Sequence, residues 1–260
     1  MNLDKFQLDG EIVIVTGGLG LLGQEYLKAI VEIGGCAISL DKKPWASTPS
    51  TSISIRCDIT REDDLEIVLD QIKAMYPNKP IYGLINNAAL DPKMQKDSQD
   101  TRHLRLDSYP SDYFDKEWIT CVKGAFLCTK VFGGEMLKNK RGVIINIASL
   151  LGVVAPNKQF YDELGTVKPC GYTVSKHAMI GLTRHTATEY APHVRCNSLV
   201  LGGVYNNHSD EFVSKLSKFI PLQRMAIQGE YNPAVQFLLT EASSYMTGAT
   251  LTLDGGFTAQ

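Results

Sequence analysis

The sequence predicts an α/β fold: a doubly wound parallel sheet of about seven strands, with helices on both faces and the whole of 1–260 in one domain. Three observations carry that expectation. Short runs rich in β-branched residues alternate regularly with longer helix-compatible stretches. The short runs are apolar, and their regular alternation with helices argues for a parallel sheet covered on both faces. No internal repeat or low-complexity linker divides the 260 residues.

In chain order, IVIVTG (12–17) reads as the first strand, and the stretch near 21–33 as the helix that follows it. CAISLD (36–41) and SISIRC (52–57) are the next two strands, followed by a helix near 61–75. IYGLINNA (81–88) is the fourth strand, and a long helix near 112–138 leads to GVIINIAS (142–149). A helix near 172–190 precedes VRCNSLVLG (194–202), helices near 210–218 and 231–240 follow, and ATLTLDGG (249–256) is the last strand. Two segments break this rhythm, 90–112 and 150–171, and both follow predicted strand ends, where such sheets bind ligands.

Bulk properties exclude several classes of function. With 44% hydrophobic residues, 21% charged residues and a net charge of −2, the chain offers no basic surface for nucleic acid. The N-terminal stretch lacks the basic start and apolar core of a signal peptide, and GVIINIASLLGVVAP is interrupted by Asn146 and Ser149 and is too short to span a bilayer. The six cysteines, at 36, 57, 121, 128, 170 and 196, form no CxxC pair. They read as reduced thiols of a cytoplasmic protein. His177 and His185 lie two helical turns apart, so no metal site is expected.

TGGLGLLG (16–23) follows the first strand and opens a helix. Gly17, Gly20 and Gly23 allow a tight turn, close approach of backbone to a pyrophosphate and close helix packing, while the N–H groups of the helix start face the anion. Asp41 ends the second strand, where a carboxylate can hold both hydroxyls of an adenosine ribose and repel a 2′-phosphate. A Rossmann-like dinucleotide site follows, with NAD favoured over NADP. Lys42 and Lys43 are the cations that could greet a 2′-phosphate instead. Tyr172 and Lys176 are spaced i and i+4 on one predicted helix, which turns a phenol and an ammonium to the same face. A phenol ordinarily ionises near pH ~10 and is a poor base at neutrality; a neighbouring ammonium favours the phenolate.

With these motifs and NNAA (86–89), CDIT (57–60), NIAS (146–149), RCNSLVLGG (195–203) and TLDGG (252–256), the chain resembles the short-chain dehydrogenase/reductase family, in its shorter single-domain branch. More narrowly, GAFLCTKVFG, KPCGYTVSK, GGVYN, IPLQRMA and SSYMTG resemble bacterial reductases of flagellin modification and nonulosonic-sugar pathways. The family resemblance implies Tyr172 as general acid/base, Lys176 as its electrostatic partner and ribose clamp, and Ser149 as the group that hydrogen-bonds the substrate oxygen. It implies a cofactor site of Gly17, Gly20, Leu22, Gly23, Asp41, Asp58, Ile59, Asn87, Ala88, Tyr172, Lys176, Val204 and Asn206, a mobile substrate loop over 206–225 as a third lid beside 90–112 and 150–171, and assembly as a homodimer or homotetramer.

The chain departs from the family pattern at identifiable positions. Leu21 stands where the shorter branch has glycine, so the spacing Gly-x2-Gly-x2-Gly is similar to that of sugar-nucleotide epimerases and dehydratases. Cys121 replaces an asparagine of the proton relay, Leu201-Gly202 replaces Pro-Gly, and Asn206 replaces a threonine that touches the nicotinamide amide. Tyr161 has Gly165 rather than lysine four residues on, and reads as a residue of the substrate loops. Those loops carry Lys93, Lys96, Arg102, His103, Arg105 and Lys158, with Asp97, Asp107, Asp162 and Glu163, a set suited to a polar, sugar-like or phosphorylated small molecule. The expectation is an oxidoreductase acting on a secondary alcohol or ketone of a sugar or amino-sugar derivative. The alternatives are a nicotinamide-retaining epimerase or dehydratase and a non-catalytic dinucleotide sensor.

Overall fold

The computed structural model describes residues 3–43, 52–90, 105–164 and 166–260. Seven strands form one parallel sheet in the order β3-β2-β1-β4-β5-β6-β7. They are β1 (Ile12–Thr16), β2 (Cys36–Asp41), β3 (Ile53–Arg56), β4 (Ile81–Asn86), β5 (Gly142–Ser149), β6 (Val194–Leu201) and β7 (Thr250–Leu253). The strand order reverses between the neighbours β1 and β4, which opens a crevice at their carboxyl ends.

Period-two alternation divides the core. Val13 and Val15 of β1 turn to one face, packing with Tyr26, Leu27 and Ile30 of α1 (Leu21–Glu32) and Leu238 of α9 (Asn232–Leu239). Ile12 and Ile14 turn to the other, against Leu65, Val68 and Ile72 of α2 (Glu62–Met75), with Phe132 and Met136. All of these side chains are buried, each contributing roughly 1.5–3 kcal/mol of transfer free energy. The centre of the sheet is thus covered on both faces, and β1, β4 and β5 are buried throughout, whereas the edge strands β3 and β7 alternate and are only partly buried.

The predicted helix near 112–138 is a run of three α-helical pieces, α3 (Ser111–Trp118), α4 (Gly124–Cys128) and α5 (Gly134–Lys138), joined by π turns at Ile119–Lys123 and Thr129–Gly133. The segment 150–171, read from sequence as irregular, contains a 3₁₀ turn (Leu150–Gly152) and α6 (Lys158–Glu163), whose start is capped by the Asn157 side chain accepting from Phe160 N at 3.0 Å. The helix carrying Tyr172, α7 (Cys170–Glu189), begins two residues before the predicted 172, directly after Pro169. In 206–225, α8 (Asp210–Ser217) is capped by Ser209.

Strand β4 stops at Asn86 rather than at 88, because the amides of Asn87 and Ala88 both turn to the Thr16 hydroxyl, at 3.0 and 3.1 Å. Strand β7 stops at Leu253 rather than at 256. Beyond it the Asp254 carboxylate gathers the amides of Gly256 and Thr258 into a turn in which Gly255 and Gly256 have φ of +66° and +91°. Of the loop residues singled out above, Lys93, Lys96, Asp97, Arg102 and His103 lie outside the described residues, as does Gly165. No helix among the described residues is long and apolar enough to cross a membrane.

Candidate active site at the carboxyl edge of the sheet

The glycine turn is built by close backbone approach. Gly17 adopts φ +63°, and a Cβ on it would lie 3.0 Å from Ala88 Cα. A Cβ on Gly23 would lie 2.2 Å from the Gly17 carbonyl oxygen, so the first turn of α1 rests directly on the loop before it. Gly20 caps α1 in an extended conformation without a side-chain bond, leaving the helix start to any anion placed there. Leu22, one turn in, is partly buried against the core.

Neighbouring strand ends hold this turn in place. The Asn87 amide group donates to the carbonyls of Thr16 and Gly17, at 3.0 and 3.2 Å. Asp41 accepts from Leu19 N at 3.2 Å through one carboxylate oxygen and from Lys43 N at 3.0 Å through the other. At the end of β3, Asp58 accepts from the Thr60 amide and hydroxyl, at 2.9 and 2.6 Å, and pairs with Lys42 at 3.0 Å. Desolvation works against the Asp58 carboxylate, but these hydrogen bonds and the Lys42 ammonium outweigh it and hold its pKa below the ordinary value. Lys42 is therefore occupied by a carboxylate. Ile59 is buried beneath Gly124, whose Cβ would meet the Ile59 side chain at 2.7 Å.

A second group of residues sits at the ends of β5 and β6. Ser149 is the last residue of β5, and its Oγ accepts from Leu151 N at 3.3 Å, which leaves its proton to donate. Lys176 is 4% exposed; its ammonium donates to the Ile147 carbonyl at 2.9 Å and lies 5.6 Å from the centre of the Tyr172 ring. The turn after Ser149 presses on α7, since a Cβ on Gly152 would lie 2.7 Å from the Lys176 carbonyl oxygen. Ser149, Tyr172 and Lys176 are thereby held on contacting elements. Val204 bridges to Ala226 beyond β6, and Asn206 donates its amide to His208 Nδ1 at 3.1 Å.

Beneath these groups runs a buried polar chain. Asn86 Nδ2 donates to Asn146 Oδ1 at 2.8 Å and to the Thr129 hydroxyl at 3.2 Å, and Asn146 Nδ2 donates to the Thr183 hydroxyl of α7 at 2.9 Å. It ties the fourth and fifth strands to the helix bearing Tyr172. Cys121, where the family pattern has asparagine, is buried in the first π turn and accepts from Leu90 N at 3.4 Å. Burial pushes its thiol pKa up against the opposing pull of Lys176, so it is a neutral thiol and not a nucleophile. All six cysteines are free.

Two features escaped sequence reasoning. The Lys168 ammonium lies over the Tyr172 ring, 4.0 Å from its centre. Glu117, only 5% exposed, accepts from the Tyr109 hydroxyl and abuts Gly171, the residue before Tyr172. A Cβ at 171 would lie 2.0 Å from a Glu117 carboxylate oxygen, so any larger residue there would have to displace the Glu117 side chain. Beside this turn lies a cleft of about 840 Å³ whose lining includes Arg105, Lys158, Tyr161, Asp162, Lys168 and Thr173. Lys158 pairs with Asp162 across one turn of α6.

The arrangement can cradle a pyrophosphate at the Gly17–Gly23 turn, hold ribose hydroxyls at Asp41, and present a serine hydroxyl, an ammonium and a phenol on elements packed at the end of β5. Residues 41–258 match the short-chain dehydrogenase family model described as enoyl-(acyl carrier protein) reductase. An NAD-dependent glycerol dehydrogenase of Listeria innocua is 27% identical over 99% of this chain and 98% of its own. A 2,5-dichloro-2,5-cyclohexadiene-1,4-diol dehydrogenase of Sphingobium indicum is 30% identical over 97% and 98%, and a galactitol 2-dehydrogenase of Rhizobium johnstonii 27% over 98% and 97%. A gluconate 5-dehydrogenase of Burkholderia cenocepacia, solved with NADP and tartrate, shares the fold at a TM-score of 0.84 with 21% identity, each chain covered in full. The chain belongs to the short-chain dehydrogenase/reductase family.

Proposed function

We propose that the protein is a cytoplasmic NAD-dependent oxidoreductase that moves a hydride between nicotinamide and a secondary alcohol or ketone of a sugar or amino-sugar derivative, in bacterial surface-glycan metabolism. The observation that carries this reading is the Lys176 ammonium, buried, fixed to Ile147 O and 5.6 Å from the Tyr172 ring, at the strand edge where Ser149 also ends β5. Bound NAD supplies hydride chemistry at the nicotinamide. Tyr172 gives or takes the proton at the substrate oxygen, Lys176 favours its phenolate and reaches the ribose, and Ser149 donates a hydrogen bond to the substrate oxygen. Gly17, Gly20, Leu22 and Gly23 hold the pyrophosphate; Asp58, Ile59, Asn87 and Ala88 flank the adenosine side, and Val204 and Asn206 the nicotinamide side.

Asp41 at the ribose position supports NAD over NADP, as does the engagement of Lys42 by Asp58. The glycerol and galactitol relatives support a polyhydroxylated substrate, as does the charged cleft, which is lined from the segments 90–112 and 150–171. Half-exposed Trp118, Ile119 and Phe126 along the α3–α4 run support pairing into a homodimer or homotetramer. Purified protein incubated with NAD or NADP and a panel of polyols, sugars and apolar alcohols should form NADH on the hydroxylated compounds, read at 340 nm. Exclusive turnover of apolar substrates would reject the substrate class. The Gly17-x2-Gly20-x2-Gly23 spacing favours one second reading, an epimerase or dehydratase that keeps its nicotinamide. Cofactor surviving gel filtration, with substrate consumed and no net 340 nm change, would select it.

A further inference from the structure

We propose that Lys168 is a second electrostatic partner of Tyr172, lowering the cost of its phenolate from the substrate side of the ring as Lys176 does from the sheet side. The inference deepens the oxidoreductase reading above and rests on it for its catalytic consequence. Its physical basis is separate. Lys168 Nζ lies 4.0 Å from the centre of the Tyr172 ring, nearer than Lys176 Nζ at 5.6 Å. Lys168 is outside α7: Pro169, at φ −55° and ψ 137°, is the helix cap, and the Lys168 side chain from before it reaches the Tyr172 ring in the first turn of the helix. Lys176 donates to the Ile147 carbonyl, and Lys168 borders the cleft.

A cation over an aromatic face is attracted by the ring's quadrupole, and more strongly once the ring carries the phenolate charge. The surroundings give that second charge a purpose. From α3, the Glu117 carboxylate abuts Gly171 and opposes a negative Tyr172, and Tyr109 bonds to that carboxylate. From the π turn Cys121 brings a neutral thiol. On α7 itself stand Cys170 and Lys176, and around the cleft stand Arg105, Asp107, Lys158, Tyr161 and Asp162, of which Lys158 and Asp162 pair with each other. One ammonium facing one buried carboxylate across the first turn of α7 would largely cancel; a second ammonium on the ring restores the bias toward phenolate.

The test titrates Tyr172 itself. Ultraviolet difference absorbance at the phenolate band, wild type minus Tyr172→Phe, isolates this one tyrosine and needs no substrate. Lys168→Met should raise the midpoint by roughly 0.5 to 1.5 pH units, while Lys168→Arg, which keeps the charge, should stay near wild type. The acid limb of kcat/KM should move to higher pH by the same amount. A midpoint unchanged in Lys168→Met, and in Lys168→Gln should the methionine variant melt early, would overturn the proposal. Failure of the oxidoreductase reading would look different: no turnover by wild type, with the titration shift intact.

Discussion

Gly23→Ala is the sharpest probe of the glycine turn. The added methyl carbon would lie 2.2 Å from Gly17 O, 2.7 Å from Gly18 Cα and 2.9 Å from Gly18 C, all backbone atoms that no rotamer can move. Ordinary contact begins near ~3.4 Å, so loop and helix must part by about 1 Å. That displacement pulls on the Asn87 bond to Gly17 O and the Asp41 bond to Leu19 N, each 3.2 Å long already. Overpacking of this kind costs about 1–3 kcal/mol and each strained hydrogen bond up to about 1 more, giving an expected loss of about 2–4 kcal/mol. NAD affinity should fall at least about tenfold, because the donors that face the pyrophosphate move with the loop. Gly181→Ala is the control: it lies within α7, its Cβ would meet nothing within 4 Å, and it should stabilise by about 0.5–1 kcal/mol. Thermal unfolding and calorimetric NAD titration measure both. A Gly23→Ala protein within 0.5 kcal/mol of wild type and binding NAD normally would refute the close-packing argument.

Three further outcomes follow from the same geometry. Asp41→Ala should weaken NAD binding by roughly 10- to 100-fold and weaken NADP binding less, in paired calorimetric titrations; equal losses would show that Asp41 does not read the ribose. Asn146→Leu takes from Asn86 Nδ2 one of its two acceptors and from the Thr183 hydroxyl its donor, and should cost about 2–4 kcal/mol in urea unfolding, with a loss under about 1 kcal/mol counting against the polar chain. The hydrogen bond from Arg224 and the Ile227 amide hold the Glu230 pKa at about 2, against an ordinary 4.5. A carboxyl depressed on folding stabilises above its unfolded value and loses that contribution as pH falls through the folded one. The advantage of wild type over Glu230→Gln, at most about 1 kcal/mol for so exposed a pair, should therefore be full above pH 5 and shrink toward pH 2; a constant gap would contradict the assignment.

The centre of the sheet was legible because its strands are buried on both faces: β5 is GVIINIAS from end to end, buried at every position. The glycine turn was legible because only glycine satisfies a positive φ at 17 and the 2.2 Å approach at 23. Helical spacing put Tyr172 and Lys176 together, since both lie within α7. The same reasoning could not reach Lys168, which is also four residues from Tyr172 but lies before Pro169, where helical periodicity does not apply. Glu117 sits in SDYFDKEW, a polar stretch that reads as solvated. Its burial arises only when Gly171, fifty-four positions later, packs on it, and the glycine at 171 was the one available signal. Asn146 looked like an interruption of an apolar strand; its partners Asn86, Thr129 and Thr183 come from three other elements.

The central claim is that the Tyr172 phenol moves the proton while the rest of the site binds. Tyr172→Phe removes one oxygen from a residue whose ring packing is retained. NADH formation on the hydroxylated substrate that wild type turns over should fall by at least about 1,000-fold, with NAD affinity within about threefold of wild type. A phenylalanine variant that keeps more than about a tenth of the wild-type rate would contradict the account.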